Sequence, residues 1–337
     1  GYQRFLQRRT HNKRKKQFIL KDEFAVPVIY LSADFARKLF GRDWKENFIS
    51  EQNRLRTWLS DQGESVFHWE AALPTNGKWQ VKIRVKNPET RECRNVIAVL
   101  PGREQTLKNE YILIGSHYDH EGIIEGKIYR GADDNASGDV ANLNVARALS
   151  HLPETQRAAR SILFAFWDAE EKGTLGSKYF VHHPPVELKQ VKIAINMDMI
   201  GRDASFRFAA LRKPMKDEDA ENKVMIFYSA QAPELAVFAK KANEKNMLHL
   251  LYDPNIFFTS GSDHVNFHER KIPVVYYFTG FHTDYTSPKD TPDKIDYNKL
   301  TRIARHIANF AFHLANAAEV PQFNSNILTA PEGDFTR

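Results

Sequence analysis

From about residue 91 the chain alternates short apolar runs with amphipathic stretches. Asn95–Leu100, Tyr111–Gly115, Ser161–Trp167, Val191–Met197 and Pro273–Phe278 are runs rich in Val, Ile and Phe. Gly138–Leu152 and Leu235–Asn246 lie between them with helical periodicity, and Leu300–Ala317 closes the pattern. Continuous apolar strands alternating with amphipathic helices predict an α/β domain with a mostly parallel, mixed sheet covered by helices on both faces. In such sheets ligands bind beyond the carboxyl ends of the strands. Those ends are where chemistry is expected.

The earlier part of the chain has a different texture. Residues 24–31 read as a strand, Ser32–Phe40 as a helix stopped by Gly41, and residues 77–86 as a half-buried strand with apolar–polar alternation. Residues 42–65 are polar and helical, with Trp44, Phe48, Leu55 and Trp58 as candidate apolar contacts. The expected organisation is a smaller N-terminal α+β portion over 1–90, the α/β domain over 91–320, and a tail over 321–337.

The strand ends carry an unusual set of side chains. Tyr111–Gly115 runs into Ser116-His117-Tyr118-Asp119-His120, Ser161–Trp167 into Asp168-Ala169-Glu170-Glu171, and Val191–Met197 into Asp198. Between the first two stands Gly131-Ala132-Asp133-Asp134-Asn135-Ala136-Ser137-Gly138, a turn that opens a helix. A single surface carboxylate is ordinarily a solvated charge. Several carboxylates at one sheet edge repel one another unless a cation offsets them. Imidazole with carboxylates and no thiolate suits zinc or a similar divalent ion. Alternation in His117-Tyr118-Asp119 places both ionisable side chains on one side, so Asp119 can hold the second nitrogen of His117. In Glu170-Glu171 one carboxylate can bind metal while its neighbour stays free as a base.

Composition narrows the classes. The 337 residues are 42% hydrophobic and 27% charged, ordinary for a globular chain. The net charge of +6 suggests nucleic-acid binding until it is located: residues 1–20 hold seven Lys/Arg and no acid, and the remainder is close to neutral. That run reads as a solvated segment, and no nucleic-acid partner is expected. Cys93 alone excludes an internal disulfide framework or a Cys-based zinc finger. No apolar run of about 18 residues occurs, so no transmembrane helix is expected. The chain starts at Gly1 without an apolar h-region, which is read as a signal peptide absent or already removed.

Over roughly residues 92–317 the sequence resembles the co-catalytic zinc aminopeptidases of the aminopeptidase Y and bacterial leucyl aminopeptidase type, family twenty-eight of the metallopeptidases. The resemblance rests on His117-x-Asp119, Gly131–Gly138, Ala169-Glu-Glu-x-Gly173 with Gly176-Ser177, Asn196-Met-Asp-Met199, Ser262-Asp-His264, and Asp284-Tyr285 before Asp290-Thr291. Residues 24–90 look like part of a protease-associated insertion domain. The resemblance implies a zinc-exopeptidase fold, peptide substrates cleaved at the N-terminal bond, and an extracellular or periplasmic setting. It implies that Asp134 bridges two metals, that His117 and Asp198 complete one site, and that Glu171 contributes to the other. Glu170 is then the general base, Asp119 the support of His117, and Tyr285 the donor to the tetrahedral oxyanion.

One position departs from the family. The His expected after Asp284-Tyr285 is Thr286, a poor zinc ligand. The reading that follows is one tightly bound zinc and a second, weak one. Two other readings stay open: His282 or water fills the position, or the protein is a degenerate relative that binds peptides with little or no activity. Glutaminyl cyclases resemble the family too, but they keep the ligand that is missing here. A glycosidase using Glu170 and Glu171 is disfavoured, because adjacent residues do not readily flank a sugar ~5–9 Å apart. Asn135-Ala136-Ser137 spells a glycosylation sequon inside the metal motif, where modification is not expected. His182-His183 reads as a helix-terminal surface pair. Phe257-Phe258 and Tyr276-Tyr277-Phe278 read mostly as core, with part available to line an apolar substrate pocket. Oligomeric state and the preferred N-terminal residue are not legible.

Overall fold

The computed structural model describes residues 92–203, 223–244, 248–254 and 261–327. The basic run, the elements expected within 24–86, Phe257-Phe258 and residues 328–337 lie outside the described residues. The chain divides between Glu92 and Cys93, and the unit beginning at Cys93 contains the sheet.

Seven strands form that sheet: β1 (Val96–Leu100), β2 (Tyr111–His117), β5 (Ser161–Trp167), β6 (Val191–Met197), β7 (Lys223–Tyr228), β8 (His249–Asp253) and β9 (Val274–Phe278), while β3 (Gly122–Ile124) and β4 (Lys127–Tyr129) make a separate hairpin. The spatial order is β1-β5-β2-β6-β9-β7-β8. β5, β2, β6 and β9 are mutually parallel; β1 lies antiparallel on β5, β7 antiparallel on β9, and β8 parallel to β7. The sheet is thus mixed and mostly parallel, as the apolar runs predict. β7, β8 and the hairpin are not among the expected strands. At the β8 edge, His-Leu-Leu-Tyr-Asp is nowhere fully buried, so it carries no continuous apolar signature.

Alternate strand residues enter two layers. Ile112, Ile114, Ile162, Phe164, Ile193 and Ile195 pack with α1 (Gly138–Ser150), α3 (Glu234–Ala242) and α5 (Tyr297–Asn316). Within α1, Ala141, Val145 and Leu149 recur every fourth residue on the buried face. The α5 helix starts at Asp296, whose side chain accepts the Lys299 N–H at 2.9 Å, and buries Ile303, Ile307, Phe310 and Leu314. On the opposite face Leu113, Leu163, Ala165 and Trp167 pack with Phe180 and Val181 of α2 (Leu175–His182) and Phe267 of α4 (His264–Glu269). Each fully buried side chain of this size contributes about 1.5–3 kcal/mol. His182 ends α2 and is exposed, as is His183, which stacks on Tyr179 at 4.3 Å. No described helix is long and apolar enough to cross a membrane.

Register fixes where the strand ends fall. His117 pairs with Trp167 across β2 and β5, and Met197 pairs with Tyr277 across β6 and β9. The carboxyl ends of the four central strands therefore open onto one edge, and the chain leaving each of them builds the site.

Candidate metal centre

His117 is the last residue of β2 and is buried. Its Nδ1 lies 3.0 Å from the backbone carbonyl of Asp119, and the Asp119 carboxylate is farther away, at 3.7 Å. The sequence reading gives the ring to the carboxylate; the structure gives it to the carbonyl. The carboxylate is engaged elsewhere, accepting the backbone N–H groups of Glu170 at 2.8 Å and Glu171 at 3.1 Å. A carbonyl can only accept, so the His117 proton is assigned to Nδ1 and the Nε2 lone pair faces the site.

The loop carrying Asp134 is held from several directions. Asp290 accepts the backbone N–H groups of Asp133, at 2.9 Å, and of Asp134, at 3.2 Å. Asn135 donates to the Met197 carbonyl at 2.9 Å and accepts the Met199 N–H at 3.2 Å, which ties the loop to the end of β6. Ser137 donates to the Asp133 carbonyl at 2.8 Å and accepts the Ile200 N–H at 3.1 Å. Asn135 is buried with both ends of its amide engaged, so the sequon is closed to modification.

The carboxylate of Asp134 faces two imidazoles. Its Oδ1 is 3.4 Å from Nε2 of His117, and its Oδ2 is 3.7 Å from Nδ1 of His120. Asp198, just past β6, brings Oδ1 to 3.5 Å from Nε2 of His117, and Glu171 brings Oε1 to 2.9 Å from Nδ1 of His120. Two donor groups result, His117–Asp134–Asp198 and His120–Asp134–Glu171, with Asp134 common to both. Nε2 of His117, Nδ1 of His120, Oε1 of Glu171 and Oδ1 of Asp198 are buried without a hydrogen-bond partner. Buried polar atoms are ordinarily paired. Unpaired lone pairs converging from imidazoles and carboxylates fit a divalent cation such as zinc.

Electrostatics agree. Burial, followed by the charge of Glu171, pushes Asp134 up to about 7. Burial also raises Glu170 well above the ordinary carboxylate range, with Asp263, Asp198 and Glu171 adding to it against the opposing His117. Glu171 is held below the usual range: burial alone would raise it, and the neighbouring His120 overcomes that. Glu170 begins a short turn after Ala169, which has φ +57°, and belongs to neither donor group. Its Oε2 lies 3.8 Å from Nε2 of His117.

The loop after β9 carries the remaining candidates. Tyr285 is half-buried with its ring 4.6 Å from that of Phe281, beside the buried cluster Met199, Phe227, Tyr276 and Phe278. Thr286 is half-buried with φ +49° and is in neither donor group. His282 is buried, but its Nε2 lies 3.2 Å from Oδ2 of Asp133 and its Nδ1 3.1 Å from Nη1 of Arg202. It faces Asp133 and joins no donor group. Sequence reasoning gave no role to His120 or Asp290. In an extended segment His120 would point away from His117 and Asp119, but the strand ends at His117 and the alternation ends with it.

Relatives match in the same region. A leucine aminopeptidase 2 of Trichophyton equinum is 32% identical over 212 residues, 62% of this chain and 38% of the relative. An aminopeptidase from Aneurinibacillus sp. strain AM-1 superimposes with a TM-score of 0.52 at 26% identity, covering 68% of this chain and 50% of that one. The γ-secretase component nicastrin reaches a TM-score of 0.52 at 16% identity over 70% of this chain and 46% of that chain, a likeness of fold alone. The chain therefore spans well under half the length of the curated relative. The pattern of Peptidase family M28 matches residues 95–311, the stretch that runs from β1 into α5 and supplies both donor groups. With well over half of its residues in that match, the chain belongs to Peptidase family M28.

Proposed function

We propose that this chain is the catalytic part of a zinc aminopeptidase that hydrolyses the N-terminal peptide bond of peptides. The observation that carries the reading is Glu170, a buried carboxylate 3.8 Å from Nε2 of His117 that belongs to neither donor group. The leucine aminopeptidase relative and the bacterial aminopeptidase support the direction of attack on the peptide. A fold hosts many activities, so the site has to carry the argument.

His117, Asp134 and Asp198 would hold one ion, the three protein ligands usual for catalytic zinc. Zinc supplies Lewis acidity there, polarising the scissile carbonyl and making water acidic at neutral pH. Glu170 takes a proton from the attacking water on a carboxylate oxygen and delivers it to the leaving amine. Tyr285 donates its hydroxyl hydrogen to the oxyanion of the tetrahedral intermediate. The aromatic cluster of Tyr276, Phe278, Phe281 and Tyr285 supports an apolar side chain on the N-terminal residue. Burial first, and then the charges of Asp198 and Glu170, raise the Tyr276 phenol well above its ordinary value.

The test is zinc-loaded protein on a panel of aminoacyl chromogenic substrates, each with its N-acetylated counterpart. The reading expects hydrolysis of the free amines, fastest for apolar residues, with loss on chelation and recovery on adding zinc. Stoichiometric zinc binding without hydrolysis of any substrate would place the protein among non-catalytic peptide binders.

A further inference from the structure

The second donor group takes its imidazole from the chain leaving β2, and Thr286, where the sequence resemblance expects a His, is not part of it. His120 lies three residues beyond His117 on the chain leaving β2. Its Nδ1 is 2.9 Å from Oε1 of Glu171 and 3.7 Å from Oδ2 of Asp134. Both ring nitrogens are buried; Nε2 has no hydrogen-bond partner, and Nδ1 meets only the two carboxylates of the donor group. We propose that His120 is the imidazole ligand of a second zinc, so that His120–Asp134–Glu171 is the counterpart of His117–Asp134–Asp198 and Thr286 stands outside the coordination. The inference deepens the metal reading above and rests on it.

Three features support the assignment. The two groups have the same composition, one imidazole and two carboxylates, and divide the two oxygens of Asp134 between them. The other candidate, His282, belongs to neither donor group: its Nδ1 meets Arg202 at 3.1 Å and its Nε2 faces Asp133, not Asp134 or Glu171. Finally, the loop is shaped to admit the His120 ring. Gly131 has φ +64°, and a Cβ there would lie 2.5 Å from Cγ of His120 and 2.1 Å from the Asp134 carbonyl oxygen. Any larger residue would push the ring away from Asp134.

With both imidazoles on the chain leaving β2, the second site does not depend on the loop after β9 for its nitrogen ligand, and position 286 is released from that requirement. The competing account is a protonated His120 that pairs with Glu171 and leaves one metal site. It predicts a different stoichiometry.

The experiment is zinc titration calorimetry on the metal-free full chain, with metal content measured after dialysis, for the native sequence, His120→Ala, His120→Asn and Thr286→Ala. Melting of each metal-free protein checks folding, and the asparagine variant preserves polarity should alanine fail. The native chain and Thr286→Ala should each retain two zinc ions. Both His120 variants should retain one and bind the second at least tenfold more weakly. Cobalt substitution should show the change in the absorption of the second equivalent only. A native chain that retains one zinc, or a His120 variant that retains two with native affinity, would overturn the proposal. Two ions in the native chain and one in the variants, in a protein that cleaves no peptide, would support His120 as a ligand while overturning the peptidase reading.

Discussion

The carboxylate of Asp119 accepts the backbone N–H groups of Glu170 and Glu171 at 2.8 and 3.1 Å. One side chain from the end of β2 thereby fixes the turn after β5, where the proposed base and a proposed ligand stand side by side. The turn needs such support, because Ala169 is left-handed and the two glutamates carry like charge.

Asp119→Ala should therefore act through Glu170. Two backbone donors lose their acceptor, at a cost of about 1–3 kcal/mol where they stay dry. Steady-state kinetics should show kcat falling at least tenfold with KM changed less than threefold, and zinc affinity falling about 10–100-fold, as for other residues that orient ligands. Unchanged kcat would show that the turn holds itself.

Packing behind the site gives a second prediction. Gly115 lies beside Trp167, and a Cβ there would stand 2.6 Å from Nε1 of the indole. Trp167 is buried and packs against Phe180 and Phe267 at 5.2 and 5.8 Å, so it cannot yield. Gly115→Ala should destabilise this unit by about 1–3 kcal/mol through overpacking, read as a lower denaturant midpoint. A midpoint equal to the native one would show that the β2–β5 end is looser than described.

The central strands were legible because helices cover both faces. Nothing polar interrupts Ser161–Trp167 after its first residue, and the apolar runs of β5 and β6 coincide with the observed strands. The same logic fails at β8, which is half-exposed at the sheet edge, and at the short helices α2 and α4, whose lengths of eight and six residues carry little periodicity. The candidate site was legible where its side chains stand at or just past a strand end, as with His117, Asp198 and the Glu170-Glu171 pair. It was illegible away from the strand ends. His120 lies past the end of β2, where strand alternation no longer applies, and Asp290 acts from 157 residues away on the backbone of Asp133.

A third prediction concerns acid stability. His306 in α5 is fully buried, with Nε2 3.0 Å from the hydroxyl of Tyr277. Burial pushes its pKa down to about 4 from the ordinary 6.5. Below pH 6.5 the unfolded chain takes up a proton that the folded chain refuses until about pH 4. This contribution to stability is intact above pH 6.5 and lost as the pH falls to about 4, by up to about 3 kcal/mol. His306→Gln cannot titrate there. Denaturation from pH 7 to pH 4 should therefore move the stability difference in favour of the variant by up to about 3 kcal/mol. A difference that stays constant across the window would mean that His306 titrates in the fold as it does in the unfolded chain.

The measurement that bears most directly on the account is hydrolysis by Glu170→Gln alongside its zinc content. Glu170 belongs to neither donor group, so the amide should leave zinc content at the native value. Removing a positioned proton-transfer group should lower kcat by about 10²–10⁴-fold. Full zinc content with that loss is the predicted result; activity within threefold of native would contradict the assignment of Glu170 as the base.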